Sequence, residues 1–140
     1  DVYVYDVMCL DKKHIFYITQ SWLNFNPPGT AHHKHNHSNS IISGVYYIET
    51  DETDGITFSS KSNTNITANE TLTIDVAEYN LANSRNWTIP VSTNSILYFP
   101  STTLHEVAPN KSNKTRISLA FNAFVKGQFG TTENLNELQL

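Results

Sequence analysis

His32-His33-Lys34-His35-Asn36-His37, followed at once by Ser-Asn-Ser-Ile-Ile-Ser-Gly-Val-Tyr-Tyr-Ile over residues 38–48, is the stretch around which the chain is organised. It holds four of the six histidines, and the β-branched and aromatic run Ile41 to Ile48 behind it predicts a buried strand. Side chains two residues apart on an extended backbone project to the same face, so His35 and His37 can both reach one metal ion. Imidazole suits iron, zinc, copper and nickel, and we expect the flanking His32 and His33 to be merely exposed and polar.

A third histidine and an arginine lie far along the chain from this pair. His105 falls in Leu-Tyr-Phe-Pro-Ser-Thr-Thr-Leu-His-Glu-Val over residues 97–107, and Arg116 falls in Thr-Arg-Ile-Ser-Leu-Ala-Phe-Asn over residues 115–122. A guanidinium offers a fixed fork for the two oxygens of a carboxylate, although an arginine in a strand is more often a surface salt-bridge partner. A close histidine pair, a distant histidine and then an arginine on the next strand is the order on which the functional interpretation depends.

Length, charge and cysteine content exclude several classes of protein. The 140 residues predict one domain, residues 1–140, and the net charge of −4 with a pI near 5.8 gives no basic footprint for nucleic acid. No apolar stretch is long enough to span a membrane and no signal peptide is visible, although the chain begins with Asp1 rather than Met. The single Cys9 excludes an internal disulfide and suits a reducing compartment, so we expect a cytoplasmic protein.

Short apolar and alternating runs separated by turn residues recur along the whole chain and predict a β-sandwich or barrel. Residues 1–20 predict two short strands with a turn at 11–13, the second strand continuing to residue 26, where Pro27-Pro28-Gly29 ends it. We read the acidic turn from Glu49 to Gly55 as solvated, residues 59–71 as a polar loop, and residues 127–140 as a tail with a short closing helix. Further strands are predicted at residues 41–49, 55–59, 72–77, 87–91, 95–100, 104–107 and 116–125.

A resemblance to a known family becomes visible in three of these segments, residues 35–48, 97–110 and 115–122. Together they resemble a family of small 2-oxoglutarate/Fe(II) oxygenases that is common in marine tailed phages, including cyanophages, and in bacteria. Ser-Trp-Leu-Asn over residues 21–24 and Phe-Val-Lys-Gly-Gln-Phe-Gly over residues 124–130 are similar too. The resemblance implies a double-stranded β-helix, or jelly roll, that is all-β with minor helical content. It also implies the cytoplasm of a host cell if the protein is phage-encoded.

The same resemblance implies a hydroxylase-type enzyme and assigns its site residues. Fe(II) would be held by His35, His37 and His105, and Arg116 would pair with the C5 carboxylate of the cosubstrate 2-oxoglutarate. The family couples oxidation of a substrate by O2 to decarboxylation of 2-oxoglutarate to succinate. Additional cosubstrate-binding or pocket residues implied are Tyr47, Ser118, Asn24 and Asn122.

One departure from the superfamily pattern keeps other functions open. A carboxylate is expected at position 37, where this chain has His37, and Glu106 is a poor substitute because strand alternation points it away from His105. The alternatives are a cupin-type metal-binding protein and a catalytically inactive jelly-roll binding or structural module. Gly29 followed by His35-X-His37 matches the start of the cupin signature, but its expected Glu is missing. The primary substrate cannot be read from the sequence, which is compatible with a homodimer as well as a monomer.

Overall fold

The computed structural model describes residues 1–60, 75–80 and 83–140, where the chain forms ten strands and one turn of π-helix, Val2–Val7. The strands are β1 (Ile15–Asn26), β2 (His32–His35), β3 (Ile42–Glu49), β4 (Gly55–Ser59), β5 (Asn86–Pro90), β6 (Ile96–Pro100), β7 (Leu104–Val107), β8 (Arg116–Lys126), β9 (Gln128–Phe129) and β10 (Leu138–Gln139).

Two four-stranded antiparallel sheets pack against each other. The first has the order β1-β8-β3-β6, the second has the order β2-β7-β4-β5, and β9 pairs with β10 as a separate hairpin. Tyr47 and Phe99 of the first sheet pack with Ile56 of the second and with Val91, which follows β5, to form the core between the sheets. This arrangement is a double-stranded β-helix, so the predicted all-β class and jelly roll are confirmed.

Strand alternation decides which side chains face the space between the sheets. In β8, Arg116, Ser118 and Ala120 line the inner cavity, whereas Phe121 and Ala123 lie on the outer face of the first sheet. Because successive side chains in a strand point to opposite faces, Arg116 and Ser118 point inward, whereas Phe121 and Ala123 point outward. The predicted strand at residues 116–125 is therefore confirmed, together with the face assigned to Arg116 and Ser118.

The histidine-rich segment differs from its prediction. The extended backbone predicted for His35 and His37 does not run on into the strand behind it: β2 belongs to the second sheet and β3 to the first, so the chain crosses between the sheets after His35. His37 lies in this crossing, outside both strands, and its backbone N–H donates to the Ser101 carbonyl oxygen at 2.9 Å. Alternation cannot reveal such a crossing, because the side-chain period looks the same whether a strand continues or changes sheet.

Both ends of the chain also differ from prediction. Residues 2–7 form a helical turn instead of a strand, in which Val4 is buried against Ile42 and Ala123 while Tyr3 and Tyr5 pack half-buried beside it. The tail forms the β9–β10 hairpin instead of a helix, and Gly127 and Leu140 exchange two backbone hydrogen bonds of 3.0 Å.

The remaining predicted elements have mixed outcomes. The strands predicted near residues 15–26, 55–59, 87–91, 95–100 and 104–107 are confirmed as β1, β4, β5, β6 and β7. Most of the predicted loop at 59–71 and the first half of the predicted strand at 72–77 lie outside the described residues, and residues 75–77 are not in a strand. In the part of the chain that the structure describes, no helix has the length and apolar character required to cross a membrane.

Candidate metal and carboxylate site

A cavity of about 290 Å³ lies between the two sheets and contains most of the predicted site residues. Its lining residues differ in exposure. Ala31 and His33 are exposed, whereas Tyr47, Arg116 and Ser118 in the same lining are each 5% exposed. The predicted residues in the lining are Asn24, His35, His37, Tyr47, His105, Arg116 and Ser118.

Three histidines converge in this cavity. One ring nitrogen from each of His35, His37 and His105 lies within 4.8 Å of those of the other two. The ring centroids of His35 and His105 are 4.3 Å apart, and those of His37 lie 5.2 Å and 5.1 Å from them. Metal–nitrogen bonds are about 2.1 Å long, so small side-chain rotations bring all three imidazoles to one ion.

Hydrogen bonds at Nδ1 leave Nε2 of each ring available to a metal. The Nδ1–H of His35 donates to the His33 carbonyl at 2.7 Å, and that of His105 donates to the Thr103 carbonyl at 3.0 Å. The Nδ1 of His37 lies 2.6 Å from Oδ1 of Asn122. A carbonyl oxygen only accepts, so each Nδ1 carries the proton and each Nε2 keeps its lone pair. This is how metal-ligating histidines are held, and the donor set therefore fits a metal.

The environment also favours the neutral form of two of these rings, His37 and His105. Burial lowers the pKa of His105 to about 4, helped by the positive charge that His35 and His37 would carry if protonated. Burial likewise lowers the pKa of His37, although its hydrogen bond to Asn122 opposes the change. A neutral imidazole is the form that binds a metal, so protons compete little with a metal at these two sites near pH 7.

No carboxylate joins the three imidazoles in the described part of the chain. Glu106 instead lies 3.3 Å from the Lys34 ammonium, on the opposite side of the strand from His105. The expectation that alternation would point Glu106 away is met. The site is a set of neutral nitrogen ligands.

Arg116 is buried and only half-paired. Its Nη1 donates to Oδ1 of Asp54 at 2.7 Å, and both side chains are about 5% exposed. Its Nη2 is buried, and none of the residues that the structure describes provides it with a hydrogen-bond partner. An unpaired buried guanidinium nitrogen is costly unless a ligand supplies an acceptor, so this atom is available to an anionic ligand.

Asp54 was missed by the sequence reading, which placed the whole acidic turn in solvent. The structure buries it, with Oδ2 accepting the backbone N–H of Asp51 at 2.9 Å. A buried arginine needs an anionic neighbour. The signal that could have found Asp54 was the position of this acidic turn directly before β4, a strand whose side chains reach the core.

The other predicted residues divide into two groups. Tyr47, Ser118 and Asn24 line the cavity, and Nδ2 of Asn24 lies 3.5 Å from the Ser118 hydroxyl oxygen. Asn122 does not line the cavity, and its Oδ1 instead contacts the Nδ1 of His37. The prediction for His32 was wrong, because it is half-buried in the cavity wall and its Nε2 accepts a 2.8 Å hydrogen bond from Asn26.

A larger cavity lies on the outer face of the first sheet. It measures about 560 Å³ and is lined chiefly by apolar and aromatic side chains, among them Tyr3, Tyr98 and Phe121. It contains none of the histidines. Its size does not make it the reactive site, because metal-binding and carboxylate-binding groups converge in the smaller cavity.

A double-stranded β-helix that gathers three imidazoles and a half-paired guanidinium in one cavity defines the class of metal-binding jelly-roll proteins. The family model described as "Putative 2OG-Fe(II) oxygenase" matches residues 20–122, and the chain belongs to this family. Fe(II) and 2-oxoglutarate are the cofactors that this family implies, and the histidine cluster can hold the metal.

The fold is also similar to a solved structure. The crystal structure of an oxidoreductase of the 2OG-Fe(II) oxygenase family from Burkholderia pseudomallei superposes with a TM-score of 0.63 at 11% sequence identity. The match covers 86% of this chain and 50% of that one, so this chain spans about half the length of that protein. At this identity the similarity concerns the fold alone. No curated protein matches the chain.

Proposed function

We propose that this protein is an Fe(II)- and 2-oxoglutarate-dependent dioxygenase, formed by a single jelly-roll domain over residues 1–140. The observation that carries the proposal is the half-paired, buried Arg116 in the same cavity as the three imidazoles. A metal-binding module alone has no need of a buried guanidinium with a free donor. A cosubstrate that carries a carboxylate at each end could bind both the metal and the guanidinium.

His35, His37 and His105 would hold the iron through Nε2. Bound iron would supply activation of O2, coupling decarboxylation of 2-oxoglutarate to oxidation of the primary substrate. The chain's own contribution is to present three neutral nitrogens on one side of a cavity and to leave the other side open to ligands. Because no carboxylate in the described ranges would balance the metal's charge, an anionic cosubstrate would compensate it.

Arg116 would bind the C5 carboxylate of 2-oxoglutarate through Nη2, with Asp54 holding Nη1. Tyr47 and Ser118 have hydroxyl groups in the same lining and would donate to the remaining carboxylate oxygens. Asn24, which contacts Ser118, would complete this end of the pocket. Asn122 would act through His37 rather than on the cosubstrate, since its side chain bonds that ring.

Further proposals concern the protein's setting. A source in phages or bacteria and action in the cytoplasm, that of the host for a phage protein, are supported by the family resemblance and by the free thiol of Cys9. The acidic net charge of −4 argues against a nucleic-acid substrate. A homodimer is compatible with the exposed apolar side chains on the outer face of the first sheet, such as Ile18 and Tyr98.

The test is anaerobic addition of Fe(II) and then 2-oxoglutarate to the purified protein. We expect a visible metal-to-ligand charge-transfer band, followed by succinate when O2 is admitted. His105→Ala should abolish both through loss of metal. Arg116→Met should weaken 2-oxoglutarate binding and leave metal affinity largely unchanged, and the exposed Lys114→Ala is the control.

The second candidate, a cupin-type or catalytically inactive metal-binding module, is favoured because no carboxylate of residues 1–60, 75–80 or 83–140 joins the three imidazoles. It predicts metal binding with neither the band nor succinate. That result would exclude the oxygenase reaction while leaving the metal site in place.

A further inference from the structure

We propose that Asn122 and Ser43 are positioning residues that hold His37 in its metal-binding tautomer, at the point where the superfamily pattern would place a carboxylate. The inference rests on the metal site of the proposed function, but not on 2-oxoglutarate turnover. His37 needs such support more than the other two ligands, because it lies in the crossing between sheets and not in a strand.

The hydrogen-bond donors around His37 can be assigned one by one. The ring Nδ1 lies 2.6 Å from Oδ1 of Asn122 and 2.8 Å from Oγ of Ser43, and the Ser43 hydroxyl donates to the same Oδ1 at 2.8 Å. An amide oxygen has lone pairs and no proton, so both of its partners must donate. The Nδ1 of His37 therefore carries the hydrogen, and the lone pair lies on Nε2.

The opposite tautomer would place two lone pairs against each other. With the hydrogen on Nε2, the bare Nδ1 would face Oδ1 of Asn122 at 2.6 Å and would lose its hydrogen bond to that oxygen. Ser43 cannot satisfy both groups with its single proton. The surroundings of His37 thus favour the one tautomer that leaves Nε2 free for a metal.

Buried hydroxyl groups extend this network away from the cavity. The Ser43 Oγ contacts the Ser101 Oγ at 2.8 Å, and the Ser101 Oγ contacts the Ser40 Oγ at 2.7 Å. Ser43 and Ser101 are completely buried. Ser101 also accepts the His37 backbone N–H through its carbonyl oxygen, so the network holds both the backbone and the ring of His37.

A purely structural role of Ser43 and Asn122 in pairing the strands would not require their hydrogen bonds to His37. Strands β3 and β8 already place Ser43 opposite Asn122 through backbone pairing. A comparable serine–asparagine hydrogen bond joins Ser59 to Asn86 across β4 and β5 at 2.7 Å, with no histidine involved. That pair serves as a matched control, because it has the same chemistry and the same cross-strand setting.

The first experiment reads the tautomer in the metal-free protein, by long-range imidazole ¹⁵N NMR spectroscopy. We expect His37 to be protonated on Nδ1 in the wild type and to lose this preference in Asn122→Leu. Ser59→Ala and Asn86→Leu should leave the His37 signals unchanged. A wild-type His37 protonated on Nε2 would overturn the proposal.

The second experiment measures affinity for Co(II) alone. Partners of metal ligands typically contribute a factor of about 10–100 in metal affinity, and we expect a loss of this size in Asn122→Leu and a smaller one in Ser43→Ala. Asn122→Asp, which keeps an acceptor, should retain the Nδ1–H tautomer and bind Co(II) at least as tightly as wild type. Thermal unfolding of each metal-free variant identifies any that fail to fold.

The outcomes separate this proposal from the proposed function. Normal Co(II) affinity in a folded Asn122→Leu would overturn the positioning role, whatever the protein does with 2-oxoglutarate. Weakened Co(II) binding in that variant, together with no succinate from the wild type, would support the positioning role and exclude the oxygenase.

Discussion

At the scale of single residues, Arg116 and Asp54 form a buried ion pair that joins β8 to the turn before β4. Burying two charges inside the protein costs free energy. Mutating only one partner destabilises the fold more than mutating both, because the other charge stays buried without a partner. The pair is therefore better understood as a device for holding a guanidinium in place than as a source of stability.

A double-mutant cycle tests this view. Asp54→Leu alone should destabilise the fold by about 3–5 kcal/mol, because it leaves the Arg116 charge buried without a partner. Asp54→Leu combined with Arg116→Met should recover most of that loss, as measured by urea unfolding. Glu106→Gln, which breaks the exposed pair with Lys34, should cost at most about 1 kcal/mol. A double variant no more stable than Asp54→Leu would contradict the argument.

Tyr47 gives a pH-dependent readout of the same region. Burial raises the pKa of Tyr47 to about 12, and the positive charge of Arg116 partly opposes that rise. Between pH 10 and about 12 the unfolded chain has lost this proton and the folded chain retains it, so stability falls as pH rises. Below pH 10 the contribution is fully present.

We expect the free energy of unfolding to fall more steeply above pH 10 in the wild type than in Tyr47→Phe. One proton corresponds to a difference of at most about 1.4 kcal/mol per pH unit. Urea titrations at several alkaline pH values measure it. Parallel pH profiles for the two proteins would show that Tyr47 ionises normally.

At the scale of secondary structure elements, Gly44 in β3 is required by a ring on β8. Gly44 lies opposite Phe121 in the sheet, and a Cβ at position 44 would overlap the end of that ring. The missing side chain lets Phe121 cross the strand and reach Tyr98, whose ring centroid is 5.9 Å away.

Gly44→Ala should therefore destabilise the protein by about 1–3 kcal/mol, the usual cost of overpacking. The cost should be smaller when Phe121 is already alanine, because the steric conflict is then absent. Chemical denaturation of the two single variants and the double variant gives the coupling energy. Strictly additive effects would mean that the ring moves aside without cost.

The strands with strong alternation and clear punctuation could be predicted from sequence, and other elements could not. Pro27-Pro28-Gly29 ends β1 where expected, and β4 has its predicted bounds. The N-terminal turn depends on a contact outside itself, the stacking of Tyr3 on Tyr98 at 4.8 Å. The tail hairpin similarly places Phe129 on His14 at 4.5 Å. Local propensity cannot anticipate such tertiary contacts.

The candidate site was predictable to a similar degree. Spacing paired His35 with His37, because strand periodicity is visible in a sequence, and the family resemblance added His105 to the pair. The pairing of Arg116 with Asp54, across 62 residues, is not visible. A run of acidic residues reads as surface, and the position of Asp54 directly before β4 was the one sequence signal of its burial.

At the scale of the whole molecule, the three histidines connect the two sheets. His35 and His105 lie on β2 and β7 of the second sheet, whereas His37 is bonded to Ser43 and Asn122 of the first. A metal held by all three would therefore link the sheets directly, and its binding energy would add to the energy of sheet packing.

We expect Co(II) at 100 times its dissociation constant to stabilise the fold by about 2.7 kcal/mol. Amide hydrogen exchange should slow in β3 as well as in β7, because both sheets are tied to the ion. His105→Ala should lose the effect, and Lys114→Ala should keep it. Protection confined to β2 and β7 would mean that His37 is not a ligand.

The difference in exposure among the lining residues has a kinetic consequence. Because Ala31 and His33 are exposed and Arg116 is buried, we expect a small acid that binds Arg116 to enter and leave past Ala31 and His33. Ala31→Trp should therefore slow the association and the dissociation of 2-oxoglutarate alike in stopped-flow measurements, with little change in the dissociation constant. A ligand bound at the entrance would block this path, so 2-oxoglutarate would bind before that ligand and dissociate after it.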